Sequence, residues 1–280
     1  MPAPVCAMWV WGCTTLLIIV VGCIEVLGQS ATDLIGSRRR ATGQPVAPVF
    51  EGWEPNPDGT LTLHFGYMNR NWAEEVDIPI GPNNFFEPGP ADRGQPTHFL
   101  ANRQKKNFGV VVPNDFGTKT LVWTLISRGS TERVPGKLGL IFQIDSTRTE
   151  TSAAPKVAVA PNQTVTFPEA ATISATVLDD GIVRTAGGRG GRGGEPRVTI
   201  KWRQYRGPGK VTFADAAPPI QDGKSSTAVK VTEPGVYTFQ ALAENGSSSD
   251  GRLTGGIPGF MCCWTTVQTT VTFNPQGGQR

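Results

Sequence analysis

Cysteine is nearly absent from the body of this chain. Three of its five cysteines, Cys6, Cys13 and Cys23, lie in an apolar amino-terminal segment, and Cys262 and Cys263 stand together near the other end. With that segment removed, no two distant cysteines remain to staple a domain, so the fold is held by its core rather than by disulfides. Histidine is scarcer still. His64 falls on the polar side of an alternating stretch and His98 stands next to Phe99, with no ligand pattern near either. A zinc site or a histidine-based triad therefore has little material. Charged residues are 18% of the 280-residue chain and the net charge is only +3. That is not the footprint of a nucleic-acid-binding domain, which concentrates lysine and arginine on one face. No window of helical period occurs in the body, and no segment after residue 24 is apolar enough to cross a bilayer.

Glycine (34) and proline (23) are abundant instead, which suits many short strands joined by tight turns. After the Asn56-Pro57-Asp58-Gly59 turn, Leu61, Leu63, Phe65 and Tyr67 alternate with Thr62, His64 and Gly66. Val76, Ile78 and Ile80 alternate next, then Phe108, Val110 and Val112, then Leu121, Trp123 and Leu125, and finally Leu138, Leu140, Phe142 and Ile144. Period two marks half-buried strands, so residues 46–147 are expected to form one β-sandwich. A polar, glycine- and proline-rich loop over 81–97 interrupts them, and loops of that length are either functional or mobile.

A short Ser/Thr/Ala linker at 148–155 precedes a second sandwich over 156–274, with a tail at 275–280. Its strands are marked by Ile173, Ala175 and Val177, by Val198, Ile200 and Trp202, by Thr227, Val229 and Val231, and by Val267, Thr269, Val271 and Phe273. The second half is organised around Pro234–Gly246. Pro234-Gly235 is a turn, Tyr237, Phe239, Ala241 and Ala243 share one strand face, and Thr238, Gln240 and Leu242 share the other. A tyrosine at the start of a penultimate strand is what a tyrosine corner needs. The expected fold is all-β, two tandem immunoglobulin-like β-sandwiches after an amino-terminal signal or anchor segment.

Residues 7–24 carry no charge, and residues 1–28 are read as that segment, with 29–45 as a linker. Three outcomes fit: cleavage after Gly28, lipidation at Cys23 as in a bacterial lipobox, or an uncleaved membrane anchor. Arg38-Arg39-Arg40 follows the apolar run and no basic residue precedes it, the reverse of the usual export bias.

Two resemblances add to this reading. Gly66-Tyr67-Met68-Asn69-Arg70-Asn71, Ile78-Pro79-Ile80-Gly81-Pro82, Asp92-Arg93-Gly94-Gln95-Pro96-Thr97 and Val122-Trp123-Thr124-Leu125 are similar to a first domain of uncharacterised exported bacterial proteins, which brings no activity with it. In the second half, "PNQTVTFP", "VLDDG", "VTIKWRQYRGPGKVTF" and "EPGVYTFQALAENG" resemble the polycystic-kidney-disease (PKD) type of immunoglobulin-like repeat. That resemblance implies a generic extracellular spacer, adhesion or binding module, with Trp202 as the core tryptophan of a central strand.

Candidate sites are few. Trp72, Phe85 and Phe86, beside Asn69 and Arg70, combine rings with hydrogen-bonding groups as a sugar or peptide site does, although the same rings could cap the sandwich ends. Asp179 and Asp180, with Asp250, could supply oxygens to calcium, but Asx turns explain them equally well. Cys262 and Cys263 could close a vicinal disulfide or remain thiols. The Gly187–Gly194 arginine-glycine run resembles an RNA-binding box but falls between two expected strands, where a loop explains it. Glu74, Glu75, Asp77, Glu87 and Asp92 are close in sequence, and a carboxylate-dependent hydrolase would need two of them in one pocket. The reading is an exported, non-catalytic envelope or secreted binding, adhesion or structural protein, without cofactor or nucleic-acid partner and touching membrane only through its amino-terminal segment. Envelope proteins or polysaccharide are the partner classes that fit. A carbohydrate-binding accessory module and the hydrolase are the alternatives.

Overall fold

The computed structural model describes residues 40–144, 154–179, 198–244 and 264–276. Sixteen strands and two short 3-10 turns make up the described residues. In the first half these are β1 (Val46–Pro55), β2 (Leu61–Asn69), β3 (Val76–Asp77), β4 (Asn84–Glu87), β5 (His98–Phe99), β6 (Asn102–Val112), β7 (Thr120–Ser127) and β8 (Ser130–Lys137). β1-β2-β6 and β4-β7-β8 form two antiparallel sheets, and β3 pairs with β5 alongside. Between the sheets lies an aromatic core. Phe65 stacks on Phe108, Phe86 stacks on Trp123, and the two pairs meet edge to face. Such edge-on contacts suit the ring quadrupoles and add to the burial of large apolar area.

The expected long loop is more ordered than its composition suggested, because it contains β4 and is pinned by buried amides. Asn84 is fully buried, accepts from Trp123 Nε1 at 3.0 Å, and donates to the carbonyls of Ile78 (2.9 Å) and Pro96 (2.8 Å). Gln95, also fully buried, receives the amide of Arg93 and donates to the carbonyl of Ala91. A buried amide is tolerated only when its groups are paired, and here the pairing fixes the loop.

Two strand expectations are corrected. Residues 138–144 are not a strand. Leu140–Phe142 is a 3-10 turn with Leu140 and Ile141 87% exposed, while Phe142 packs on Phe50. The strand that completes the sheet is instead β8, a polar stretch containing Pro135. β8 is an edge, where proline costs no ladder hydrogen bond. The alternation over Val76–Ile80 likewise yields only the two-residue β3.

The second half comprises β9 (Lys156–Val159), β10 (Gln163–Thr166), β11 (Ala171–Leu178), β12 (Thr199–Arg206), β13 (Val211–Phe213), β14 (Lys224–Val231), β15 (Gly235–Glu244) and β16 (Trp264–Asn274). The sheets are β10-β16-β15-β12 and β13-β14-β11-β9; β10 runs parallel to β16 and every other pairing is antiparallel. The first strand thus divides between the sheets, β9 on one and β10 on the other, as in immunoglobulin-like sandwiches. The core is Ile173, Ala175 and Val177 of β11 against Ile200 and Trp202 of β12 and the Tyr237, Phe239, Ala241, Ala243 face of β15. Tyr237 makes the expected corner: its hydroxyl donates to the carbonyl of Glu233 (2.8 Å) and accepts from the amide of Gly209 (3.0 Å). Gly207, at φ +156°, passes so close that a Cβ there would overlap the Tyr237 ring. The molecule is therefore all-β, with two tandem immunoglobulin-like sandwiches.

Candidate inter-sandwich site

The two sandwiches meet through the outer face of β12 and β15. On β12, Ile200, Trp202 and Gln204 are buried, while Lys201 and Arg203 point the other way. The pairing with β15 then slips. Gln204 opposes Phe239 and Arg206 opposes Thr238, so Tyr205 is an extra, bulged residue. A bulge re-aims a side chain. Alternation already turns Tyr205 to the side of Lys201 and Arg203, so its ring, 2% exposed, joins the core cluster of the first sandwich, while the bulge brings the next residue, Arg206, out to that same face.

Around that ring the 92–97 segment acts as a socket. The Tyr205 hydroxyl donates to the carbonyl of Gly94 at 2.5 Å, and the amide of Thr97 donates to the Tyr205 carbonyl at 3.1 Å. Arg206 grips Asp92 with two parallel bonds of 2.9 and 2.8 Å and also donates to the carbonyl of Gln95. Bidentate guanidinium–carboxylate pairs are the geometrically specific kind. The Arg206 bond holds the Asp92 carboxyl below its ordinary pKa, while burial pushes the Tyr205 phenol far above its own. Farther along the face, Gln240 Nε2 donates to the carbonyl of Asn107 (2.9 Å), and Arg203 Nη1 donates to Gln104 Oε1 (2.8 Å). The Asp92–Thr97 segment of the first sandwich and the Tyr205-containing strand of the second thus bind each other.

Beside this joint opens a cleft of roughly 540 Å³. One wall carries Glu75, His98 and Gln104, and the other carries Trp202, Arg203 and Phe213. His98 is buried and lies 2.7 Å from Asp77 (at Nδ1) and 3.1 Å from Glu75 (at Nε2). Burial of the ring pushes its pKa down, but the two carboxylates outweigh burial and hold it up at about 9. At neutral pH it is an imidazolium donating from both nitrogens. The same contact keeps Glu75 below the ordinary carboxylate range. His64 differs: burial pushes it down although Glu54 lies 2.6 Å away, and it sits there as a neutral donor.

The acids that are close in sequence do not gather in one place. Glu74 pairs with Arg128, Glu87 with Arg133 and Asp92 with Arg206, while Glu75 and Asp77 flank His98. Glu75 and Asp92 are shifted downward, the opposite of a carboxylic acid kept protonated for general acid work. The aromatic candidates separate as well. Trp72 is 54% exposed, Phe85 is half-buried, and Phe86 lies in the core at 2%. Asn69 is buried, bonded through Nδ2 to the carbonyls of Glu74 and Phe99, and the exposed Arg70 pairs with Glu132. The three rings therefore share no exposed platform. Asp179 follows β11 and is half-buried. Residues 1–28 with Cys23, the 187–194 run, Asp180, Asp250, Cys262 and Cys263 lie outside the described residues. Sequence reasoning passed over Tyr205, Arg203 and Arg206. The only available signal was the row of large polar residues, Lys201 to Arg206, on a strand with a solvent-type face.

No family model matches the chain, and no curated protein sequence matches it. Among solved structures it is similar to domains 4 and 5 of the S-layer protein SbsC, at 12% identity over 82% of this chain and 98% of that one, with a TM-score of 0.27. The D00-D0 domain of intimin is similar at 11% identity, over 82% and 99% of the two chains, with a TM-score of 0.27. A Porphyromonas gingivalis W83 protein of unknown function is similar at 8% identity, over 82% and 100%, with a TM-score of 0.22. Likenesses at that level assign no family and no activity. The immunoglobulin-like description rests on this chain's own sheets, its divided first strand and its tyrosine corner.

Proposed function

We propose that this is an exported, non-catalytic protein of the cell envelope or extracellular space, a structural, adhesion or binding element whose two sandwiches work as one rigid piece. The observation that carries the reading is the joint. A ring buried in the other sandwich and a bidentate Arg206–Asp92 pair fix the angle between the halves. A freely jointed pair would only tether whatever lies at its two ends, whereas a fused pair also orients it. The finer assignment of the second sandwich to the PKD type belongs to this proposal and is supported by Trp202 in the core and the Tyr237 corner.

Intact mass and fractionation of the protein from its native host test the location. A chain starting at Gln29 in the medium or periplasm, or one lipidated at Cys23 or retaining residues 1–28 in the envelope, supports export. Recovery of the uncleaved chain in the cytosolic fraction would sink it. Residual dipolar couplings on residues 40–276 test the rigidity: a single alignment tensor for both sandwiches is expected, and two independent tensors would refute a fixed joint.

A further inference from the structure

Among the described residues, Arg203 is a charge without a counter-charge. Its Nε donates to Gln240 Oε1 and its Nη1 to Gln104 Oε1, both at 2.8 Å, and both acceptors are neutral amides. Arg70, Arg103, Arg128, Arg133 and Arg206 each reach a carboxylate; among the described residues, none lies within 4.0 Å of Arg203. The guanidinium is nonetheless drawn out of bulk water, and burial lowers its pKa. Taking an ion from water without a partner is unfavourable, and proteins ordinarily supply one. A guanidinium has five N–H groups, two of which are used here; among the described residues the others have no acceptor, and the residue lines the cleft.

The rest of the cleft says what kind of anion fits. Its walls beyond Arg203 are largely apolar, built from Leu100 of the first sandwich and Val211, Phe213 and Leu242 of the second. The Lys201 ammonium on the rim is held by Glu244 at 3.2 Å. Opposite stands Glu75, whose cluster with Asp77 and His98 carries two carboxylates against one imidazolium. One available guanidinium facing a net negative wall disfavours a dianion such as phosphate and suits a single carboxylate. Its volume falls in the range of about 300–1,000 Å³ usual for small-ligand pockets.

We propose that the inter-sandwich cleft binds an organic monocarboxylate with an apolar body, its carboxylate taken by Arg203 and its body laid along Leu100 and Leu242. The ligand is either a free apolar acid or the carboxyl end of a polypeptide finishing in an apolar residue. The site does not depend on where the protein works, so its failure would leave the export proposal standing.

The test is calorimetric titration of the full chain near pH 7 with N-acetyl-leucine, its amide, a pentapeptide ending in leucine with a free or amidated terminus, and galacturonate. The acid should bind about 10- to 100-fold more tightly than the amide, the range for losing a charge-assisted bond. Arg203→Gln should remove that preference and Arg203→Lys restore only part of it. Because Arg203 also bridges the sandwiches, the unmutated protein gives a second readout: the Nε–H resonance of Arg203 should shift with the acid and stay still with the amide. Equal affinity of peptide and free acid identifies a chain end as sufficient; binding of the free acid alone identifies a small metabolite. No binding of any free carboxylate up to about 10 mM, with the Arg203 resonance unmoved, would overturn the assignment. Galacturonate binding as well as N-acetyl-leucine would overturn the apolar half of it.

Discussion

Replacing Tyr205, a residue of the second sandwich, should weaken the first. Its ring is 2% exposed and packs in the core of the neighbouring sandwich, so Tyr205→Ala opens a cavity there, as truncation of any core aromatic does. Such truncations cost about 3–5 kcal/mol. Tyr205→Phe keeps the ring and removes only the bond to the Gly94 carbonyl. Gly94 is exposed, so water can replace the lost donor, and the cost should stay near the low end of about 0.5–1.5 kcal/mol. Native-state hydrogen exchange read by mass spectrometry separates the halves. Peptides from β2 and β6 should lose protection in Tyr205→Ala by most of that amount, while peptides from β14 and β15 should lose far less. In Tyr205→Phe both sets should stay nearly as in the unmutated chain. If the alanine variant leaves β2 and β6 unchanged and weakens only β12 and its neighbours, the ring does not support the first sandwich and the fixed joint falls with it.

His98 should make stability fall with rising pH. Its folded pKa of about 9 lies above the unperturbed 6.5, so between those values the folded chain holds a proton that the unfolded chain releases. The contribution is complete below about pH 6.5 and lost as pH passes about 9. At 1.36 kcal/mol per unit the ceiling is about 3 kcal/mol, and exposure of Asp77 and Glu75 to water reduces it to an expected 1–2 kcal/mol or about that. Urea unfolding at pH 6 and pH 9.5 measures it, and His98→Gln should flatten the difference; an unchanged slope would contradict the pairing. At the tyrosine corner, Tyr237→Phe should cost about 1–2 kcal/mol, because the Glu233 carbonyl and the Gly209 amide both lose a partner. Gly207→Ala should cost more than Tyr237→Phe, since it adds overlap with the ring to an unfavourable φ. The same denaturation series ranks them, and the reverse order would mean that the backbone does not pass the ring this closely.

The interior of each sandwich was legible where alternation and turn chemistry agreed. Tyr237, Phe239, Ala241 and Ala243 point inward behind a Pro-Gly turn, and the corner bond follows from where the tyrosine stands. Alternation alone misled. Leu138, Leu140, Phe142 and Ile144 repeat at period two, yet a strand needs a bonded neighbour along its length, and here only Gln143 and Ile144 meet one, at Trp53 of β1, after the 3-10 turn, while the edge of β7 is taken by the polar, proline-bearing β8. The adjacent rings Phe85 and Phe86 could have been separated beforehand, because consecutive residues of a strand face opposite ways and only one can reach solvent. The joint could not. Arg206 and Asp92 stand 114 positions apart, and in composition each is an ordinary surface charge. What brings them together is a one-residue bulge at Tyr205, which leaves no mark in hydrophobic pattern. A strand's inward face announces itself through apolar residues. Its outward face reads as polar whether it meets water, another sandwich or a ligand, and Gln240, Arg203 and Lys201 on one continuous face do one or another of these within a few residues. That ambiguity is physical: a hydrogen bond to a neutral amide and one to water differ little in free energy. Function on this chain is therefore decided on the faces that sequence reads least well, and a solvated-looking arginine lacking a carboxylate is the kind of residue from which it has to be recovered.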